Sequence, residues 1–292
     1  MDTFLPERWL TAGRPGRLPV RPAGAYLRRV QGQRLVVVCD AHLGAGSPAA
    51  EAGFLAFLDA VPSLGDMLLV NGDLFDFWFA WRRVIPRAGF HVVAALARLR
   101  RAMPIVMTGG NHDRWGDDFW HADLGIDFHP IEARFRLGAR DVLAIHGDGL
   151  TERHWSARHL QRITRHPATV RLFEALHPSI GLRLVDAMNH RLGNTVTDPA
   201  ALAAAGERQR AWAEARLAGD PSLGLVVMGH THRPALSEPS PGRWYVNPGA
   251  WFDGGRYAVC SEAGVTLCQF GGAGSPKGLP SVAGEPGAGG TP

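Results

Sequence analysis

Five short clusters in this sequence gather side chains that bind divalent cations: Asp40-Ala41-His42, Asn71-Gly72-Asp73, Gly110-Asn111-His112-Asp113, His146-Gly147-Asp148 and Gly229-His230-Thr231-His232. Carboxylate, carboxamide and imidazole without thiolate suit manganese, iron or zinc, and the ligand types alone do not separate the three. Asp40 and His42 stand two apart, so an extended backbone would point both to one face, and His230 and His232 repeat that spacing. Two such ions about 3.5–4 Å apart can share one carboxylate and clamp an in-line displacement at phosphorus. Asp73 is the candidate bridge, and Asn111 supplies a neutral oxygen, leaving net positive charge for an anionic phosphate. Glycines at 72, 110, 147 and 229 permit sharp turns and close backbone approach. Alone, each cluster has a bland reading: Asp-x-His is a common surface pair, and Asn-His-Asp a common turn. Repetition after successive apolar runs argues for one site, because ionisable side chains buried at sheet ends need partners.

Those runs are the elements that must position the clusters. Leu35-Val36-Val37-Val38, Met67-Leu68-Leu69-Val70 and Ile105-Val106-Met107 read as buried strands. Helical patterns around Phe54, Leu55 and Leu58 and over 92–99 separate them. Continuous apolar strands alternating with helices predict parallel βαβ units covered on both faces. The carboxyl ends of such strands form the crevice where ligands bind. Further strands are expected near 142–145, 225–228, 244–246 and 257–259, with short spacings that predict antiparallel pairing. Residues 150–218 show long helical patterns broken near Pro167, Pro178 and Asn194, which predicts a helical insertion within a domain spanning 34–270. Residues 1–33 read as an irregular basic arm, and 271–292, rich in Gly, Pro, Ser and Ala, are expected to be disordered.

Composition narrows the class. No apolar run in the 292 residues reaches the ~18–20 needed to cross a bilayer. Pro and Arg occupy the stretch where a secretory apolar core would lie, so the expected compartment is the cytoplasm. Three cysteines, Cys39, Cys260 and Cys268, lack the pairing and spacing of a disulfide framework or a thiolate zinc site. The net charge of +4 fits a nucleic acid, an anionic lipid or a phosphorylated metabolite alike.

In order along the chain, Asp40-Ala41-His42, Gly72-Asp73, Gly110-Asn111-His112-Asp113, His146 and Gly229-His230-Thr231-His232 resemble the calcineurin-like metallophosphoesterases over residues 34–260. The resemblance implies an α/β fold, a four-layer αββα sandwich with a helical lid insertion. It implies that Asp40, His42, Asp73 and His232 bind one metal and Asp73, Asn111, His146 and His230 the other. His112 would steady the phosphate, beside Asn111, or protonate the leaving oxygen, and Asp113 would orient His112. Gly72-Asp73-Leu74-Phe75-Asp76-Phe77-Trp78, Gly229-His230-Thr231-His232-Arg233-Pro234 and Gly249-Ala250-Trp251 are similar to the UDP-2,3-diacylglucosamine diphosphatase family of lipid A biosynthesis. That similarity implies cleavage of a UDP-linked lipid to UMP and 2,3-diacylglucosamine 1-phosphate. One position departs: typical members have Arg where this chain has His112, as the wider superfamily does.

The helical stretch lies where that family carries an acyl-binding lid. Residues 150–192 hold seven arginines against three acidic residues, a surplus of +4 that equals that of the whole chain. Apolar residues such as Leu160, Ile163, Leu172, Leu184 and Met188 accompany them. Such helices suit an anionic membrane surface or a lid over a lipid diphosphate, and imply peripheral contact with the cytoplasmic face of the inner membrane. Arg158, Arg162 and Arg165, at helical spacing, are the lid candidates for phosphate contact. Trp78, Phe79 and Trp81 read as packing beside the site. A second hypothesis keeps the chemistry on a nucleotide, nucleic acid or phosphoprotein; the apolar insertion argues against a polymer track. A third, a non-catalytic scaffold, is disfavoured because every metal-ligand position is filled.

Overall fold

The computed structural model describes residues 31–44, 48–116, 118–150, 162–192, 199–271 and 276–278. Most of the basic arm and of the Gly-rich tail, and Arg158, lie outside the described residues. Strands β1 (Gln31–Gly32), β2 (Arg34–Val38), β3 (Met67–Asn71), β4 (Ile105–Thr108) and β5 (Asp127–His129) are joined by helices α1 (Pro48–Leu64) and α2 (Phe90–Ala102). A hairpin, β6 (Glu132–Leu137) and β7 (Arg140–Ile145), then precedes α3 (Pro167–Ala175), α4 (Pro178–Leu192) and α5 (Pro199–Gly219). The chain closes with β8 (Leu223–Val227), β9 (Ala235–Ser240), β10 (Arg243–Asn247), β11 (Arg256–Ser261), β12 (Gly264–Phe270) and β13 (Pro276–Gly278).

These strands form two sheets, ordered β1-β6-β7-β8-β10-β9 and β13-β12-β11-β2-β3-β4-β5. In β2 and β3 the two strand faces feed different cores. Val36, Val38, Leu68 and Val70 pack with α1 and α2 through Phe54, Phe57, Val92 and Leu96. Leu35, Val37, Met67 and Leu69 instead meet Phe135, Val142, Ala144, Leu225 and Val246 of the facing sheet. The outer face of that second sheet, with Leu143, Val226 and Tyr245, is covered by Ala213 and Leu217 of α5. The result is the expected four-layer αββα sandwich. Burial on both faces explains why these strands read as unbroken apolar runs.

The pairing expectation needs correction. The strand at 256–261 is antiparallel to both β12 and β2, as its short spacing suggests. However, β7, β8 and β10 run parallel to one another. The three helices carry the chain back between β7 and β8, and β9 lies outside β10, so the return strand enters the sheet in the same sense as β8. Consequently the carboxyl ends of β2, β3, β4, β7 and β8 are those that bear the candidate residues, three on one sheet and two on the other.

Phe57 is fully buried, with ring centroids 4.5 Å from Trp251, 5.3 Å from Tyr257 and 5.6 Å from Phe270. It joins α1 to β11, β12 and the 249–255 turn. Phe57→Ala is predicted to cost about 3–5 kcal/mol in a denaturant titration, with the loss seen equally by tryptophan fluorescence and far-UV dichroism.

Candidate metal centre

The strands stop just before the candidate ligands, and the backbone then leaves extended geometry. Asp40, His42, Asp73, His230 and His232 have φ of 51°, 46°, 51°, 69° and 57°. They are the only non-glycine residues with positive φ among the described residues. Thus the two-residue spacing does not act through an extended strand, as the sequence suggested; left-handed turns aim these side chains instead. Left-handed backbone at a non-glycine residue costs of order 1 kcal/mol or more and persists only where the surroundings enforce it. Cross-links between the loops supply that enforcement. Asp40 N–H donates to Gly72 O (3.1 Å), and Ala41 and His42 N–H to Asp73 O (2.9 and 3.1 Å). Gly229 N–H donates to His146 O (2.9 Å), and Trp251 N–H to Cys39 O (3.0 Å). Gly110 has no room for a side chain, because a Cβ there would collide with the Asp73 carboxylate.

Donor atoms of Asp40, His42 and His232 fall within 4.8 Å of one another, and so do those of Asp73, His146 and His230. Asp73 Oδ2 lies 3.1 Å from His146 Nε2 and 3.9 Å from His42 Nε2, so it stands between the two groups. Asp40 Oδ1 is 3.4 Å from His232 Nε2 and 3.8 Å from His146 Nε2. Asp40, Asp73 and His146 are buried. His42 Nε2 and Asn111 Oδ1 are buried without a hydrogen-bond partner, although the first is an imidazole nitrogen and the second a carbonyl oxygen. His146 Nδ1 lies 2.9 Å from Asn71 O, which fixes it as the donor and turns Nε2 toward the carboxylates. Lone pairs of nitrogen and oxygen thereby face one another around a small volume. A divalent cation fits this donor set, and the ligand types are those of manganese, iron or zinc.

Charge tells the same story. Burial would lower His146, but Asp73, then Asp40 and Asp148, push it up to about 10. Burial would raise Asp73, yet His146, His112 and His42 hold it well below the usual carboxylate range. His112 is raised against burial by Asp73 and by the carbonyl and carboxylate of Asp76.

His112 sits beside His42, ring centroids 4.8 Å apart, and its Nδ1 lies 2.6 Å from Asp76 O. Asp113, expected to orient His112, makes its hydrogen bonds to the main chain. The Asp113 carboxylate accepts from the N–H groups of Gly110 (2.8 Å), Leu74 (2.7 Å) and Asp73 (3.2 Å), and so splints the two ligand loops. Of the lid arginines, Arg162 is exposed, while Arg165 pairs with Asp148.

Several participants lie outside the motifs. Phe252, half exposed, packs against His42 and His232 with centroid distances of 5.5 and 5.0 Å. Gln209 of α5 is buried; its Nε2 donates to Gly229 O (2.9 Å). Its Oε1 accepts from Thr231 Oγ1 and Asn247 Nδ2, each at 3.3 Å. Asn247 Nδ2 also reaches Gly229 O at 3.0 Å. This network holds the 229–232 turn, and a buried glutamine twenty residues upstream carries no sequence signal for that task.

The calcineurin-like phosphoesterase profile matches residues 33–234. A protein named UDP-2,3-diacylglucosamine hydrolase from Sodalis glossinidius is 30% identical over 80% of this chain and 96% of its own length. The protein of that name from Serratia proteamaculans is 30% identical over 80% of this chain and 97% of its own. Its counterpart from Ralstonia nicotianae is 33% identical over 72% and 81%.

Two outcomes are expected. In the ion-free protein the His146 imidazolium stabilises the fold fully below the unfolded value of about 6.5, and that contribution is lost as pH rises through about 10. A metal takes neutral imidazole, so loading at pH 7 should expel a proton. Calorimetry of manganese binding in two buffers of different ionisation enthalpy measures it; buffer-independent heats contradict the assignment. Gln209→Ala should lower stability by about 1–3 kcal/mol, the cost of stranding buried polar groups, and weaken metal binding in the variant that remains folded.

Proposed function

The chain belongs to the calcineurin-like phosphoesterases, and from that premise we propose that it is a dinuclear-metal hydrolase of UDP-2,3-diacylglucosamine, releasing UMP and 2,3-diacylglucosamine 1-phosphate in lipid A biosynthesis. In this reading Asp40, His42, Asp73 and His232 hold one ion, and Asp73, Asn111, His146 and His230 the other, with manganese as first choice. Bound there, the ions would activate water and neutralise charge at phosphorus. Asp73 lies between the two groups and serves both. With Nδ1 committed to the Asp76 carbonyl, His112 offers its other nitrogen to the phosphate or the leaving oxygen. The neighbouring carboxylates favour its protonated form, as a proton donor requires.

The observation that carries the lipid reading is the placement of α3 and α4. Phe173 of α3 packs on Phe77, Phe79 and Trp81, in the segment that runs on from Asp73, with centroid distances of 6.0, 4.8 and 5.8 Å. Beyond that contact the two helices leave Leu172, Ile180, Leu184 and Met188 exposed. Ile180, Leu184 and Met188 recur every four residues along one face of α4. Apolar surface beside a cation-binding edge suits a substrate that joins acyl chains to a phosphate. It also suits peripheral docking on the cytoplasmic face of the inner membrane. No helix among the described residues is long and apolar enough to cross a membrane.

Manganese-loaded protein is expected to convert UDP-2,3-diacylglucosamine to UMP, and in oxygen-18 water the label should enter UMP. Label in the lipid phosphate rejects attack at the α-phosphorus. A protein that ignores the lipid and turns over nucleotides or simple phosphodiesters would move the assignment to the second substrate class. Asp73→Ala and Asn111→Ala should lose well beyond the ~10–100-fold typical of outer-shell partners. His112→Ala should lower kcat by about 10²–10⁴, the range of a general acid.

A further inference from the structure

Beside the candidate centre lies a charge cluster that the metal assignment does not use. Asp148, two residues past His146, has a side chain only 6% exposed. Its Oδ2 accepts from the guanidinium groups of both Arg114 and Arg165. Arg114 follows Asp113 and is buried with it. Arg165 comes from the other wall, the helical turn before α3, and remains one-third exposed. A second tie joins the same two walls: Trp115 Nε1 donates to Thr164 O at 3.3 Å.

A purely structural ion pair needs one guanidinium for one carboxylate. Here two arginines share a single carboxylate oxygen, and Arg165, one-third exposed, keeps part of its guanidinium accessible to an anion. Each guanidinium has five N–H donors in a planar fork that matches phosphate oxygens, and the bond to Asp148 fixes its plane without using all of them. The carboxylate thus works as an orienting group. One arginine lies on the domain, directly after Asp113, and one on the insertion, and the Asp148 that joins them is two residues past His146.

We propose that Arg114 and Arg165, oriented by Asp148, form a second anion subsite that takes the phosphate adjacent to the one held at the metal centre, so that the site selects diphosphates over monophosphates. This rests on the pyrophosphate reading above, and the two are separable. Calorimetry of UDP and UMP binding to the full-length, manganese-loaded protein tests it without turnover. Wild-type protein should bind UDP at least tenfold more tightly than UMP. Arg165→Ala should bring that ratio within twofold while UMP affinity holds, and Arg165→Lys should restore part of it. Trp115→Phe, which removes the neutral hydrogen bond between the walls and keeps an aromatic ring beside Phe77, should keep the ratio. Equal binding of the two nucleotides by wild type, binding of neither, or a ratio untouched by Arg165→Ala overturns the subsite. An equal loss for both nucleotides assigns Arg165 to architecture alone and also overturns it. If the ratio behaves as expected but the UDP-lipid is not hydrolysed, the subsite stands and the substrate reading falls.

Discussion

Two carboxylates, Asp40 and Asp73, are sealed from solvent at the junction of the two sheets, and the rest of the molecule answers that constraint. An ionised carboxylate in such a place is tolerated only when opposite charge and hydrogen bonds surround it. Asp40 receives His230 N–H at 3.1 Å and Asp73 receives His112 N–H at 2.9 Å, while imidazoles close the remaining directions. Those contacts hold the carboxylates in place. Divalent cations bound between these groups would complete the balance, and the histidines face the acids rather than water.

The scaffold makes this arrangement rigid. Three parallel strand ends from one sheet and two from the other deliver the loops, and the inter-sheet core keeps them in register. Left-handed backbone at five ligand candidates is the strain that such a frame supports, and it coincides with the residues assigned to chemistry. Asp113 accepts from main-chain N–H groups of the loops, and Gln209 ties the Gly229 carbonyl to the side chains of Thr231 and Asn247.

The motifs, the strands that precede them and the layered architecture were legible because both-face burial writes itself as continuous apolar runs. Less was legible where the determinant is a backbone group. The Asp76 carbonyl that holds His112 has no residue signature, and Asp113 was read as a side-chain partner because sequence adjacency hides the three N–H groups it accepts. A two-residue spacing looks the same in an extended strand and in a pair of left-handed turns. Strand β6, Glu-Ala-Arg-Phe-Arg-Leu, alternates buried and accessible positions, yet its charges mask it beside the wholly apolar strands. The parallel sense of β7, β8 and β10 depended on where β9 sits, and pairing order is a tertiary property. Arg165 was visible as one of three lid arginines, but only the fold separates it from exposed Arg162.

Anomalous diffraction from crystals of the whole protein grown with manganese tests the central claim most directly. The account predicts two peaks about 3.5–4 Å apart, one against Asp40, His42 and His232 and the other against Asn111, His146 and His230, with Asp73 touching both. A fully occupied crystal with ions bound elsewhere, or with these side chains turned away from any ion, would contradict it.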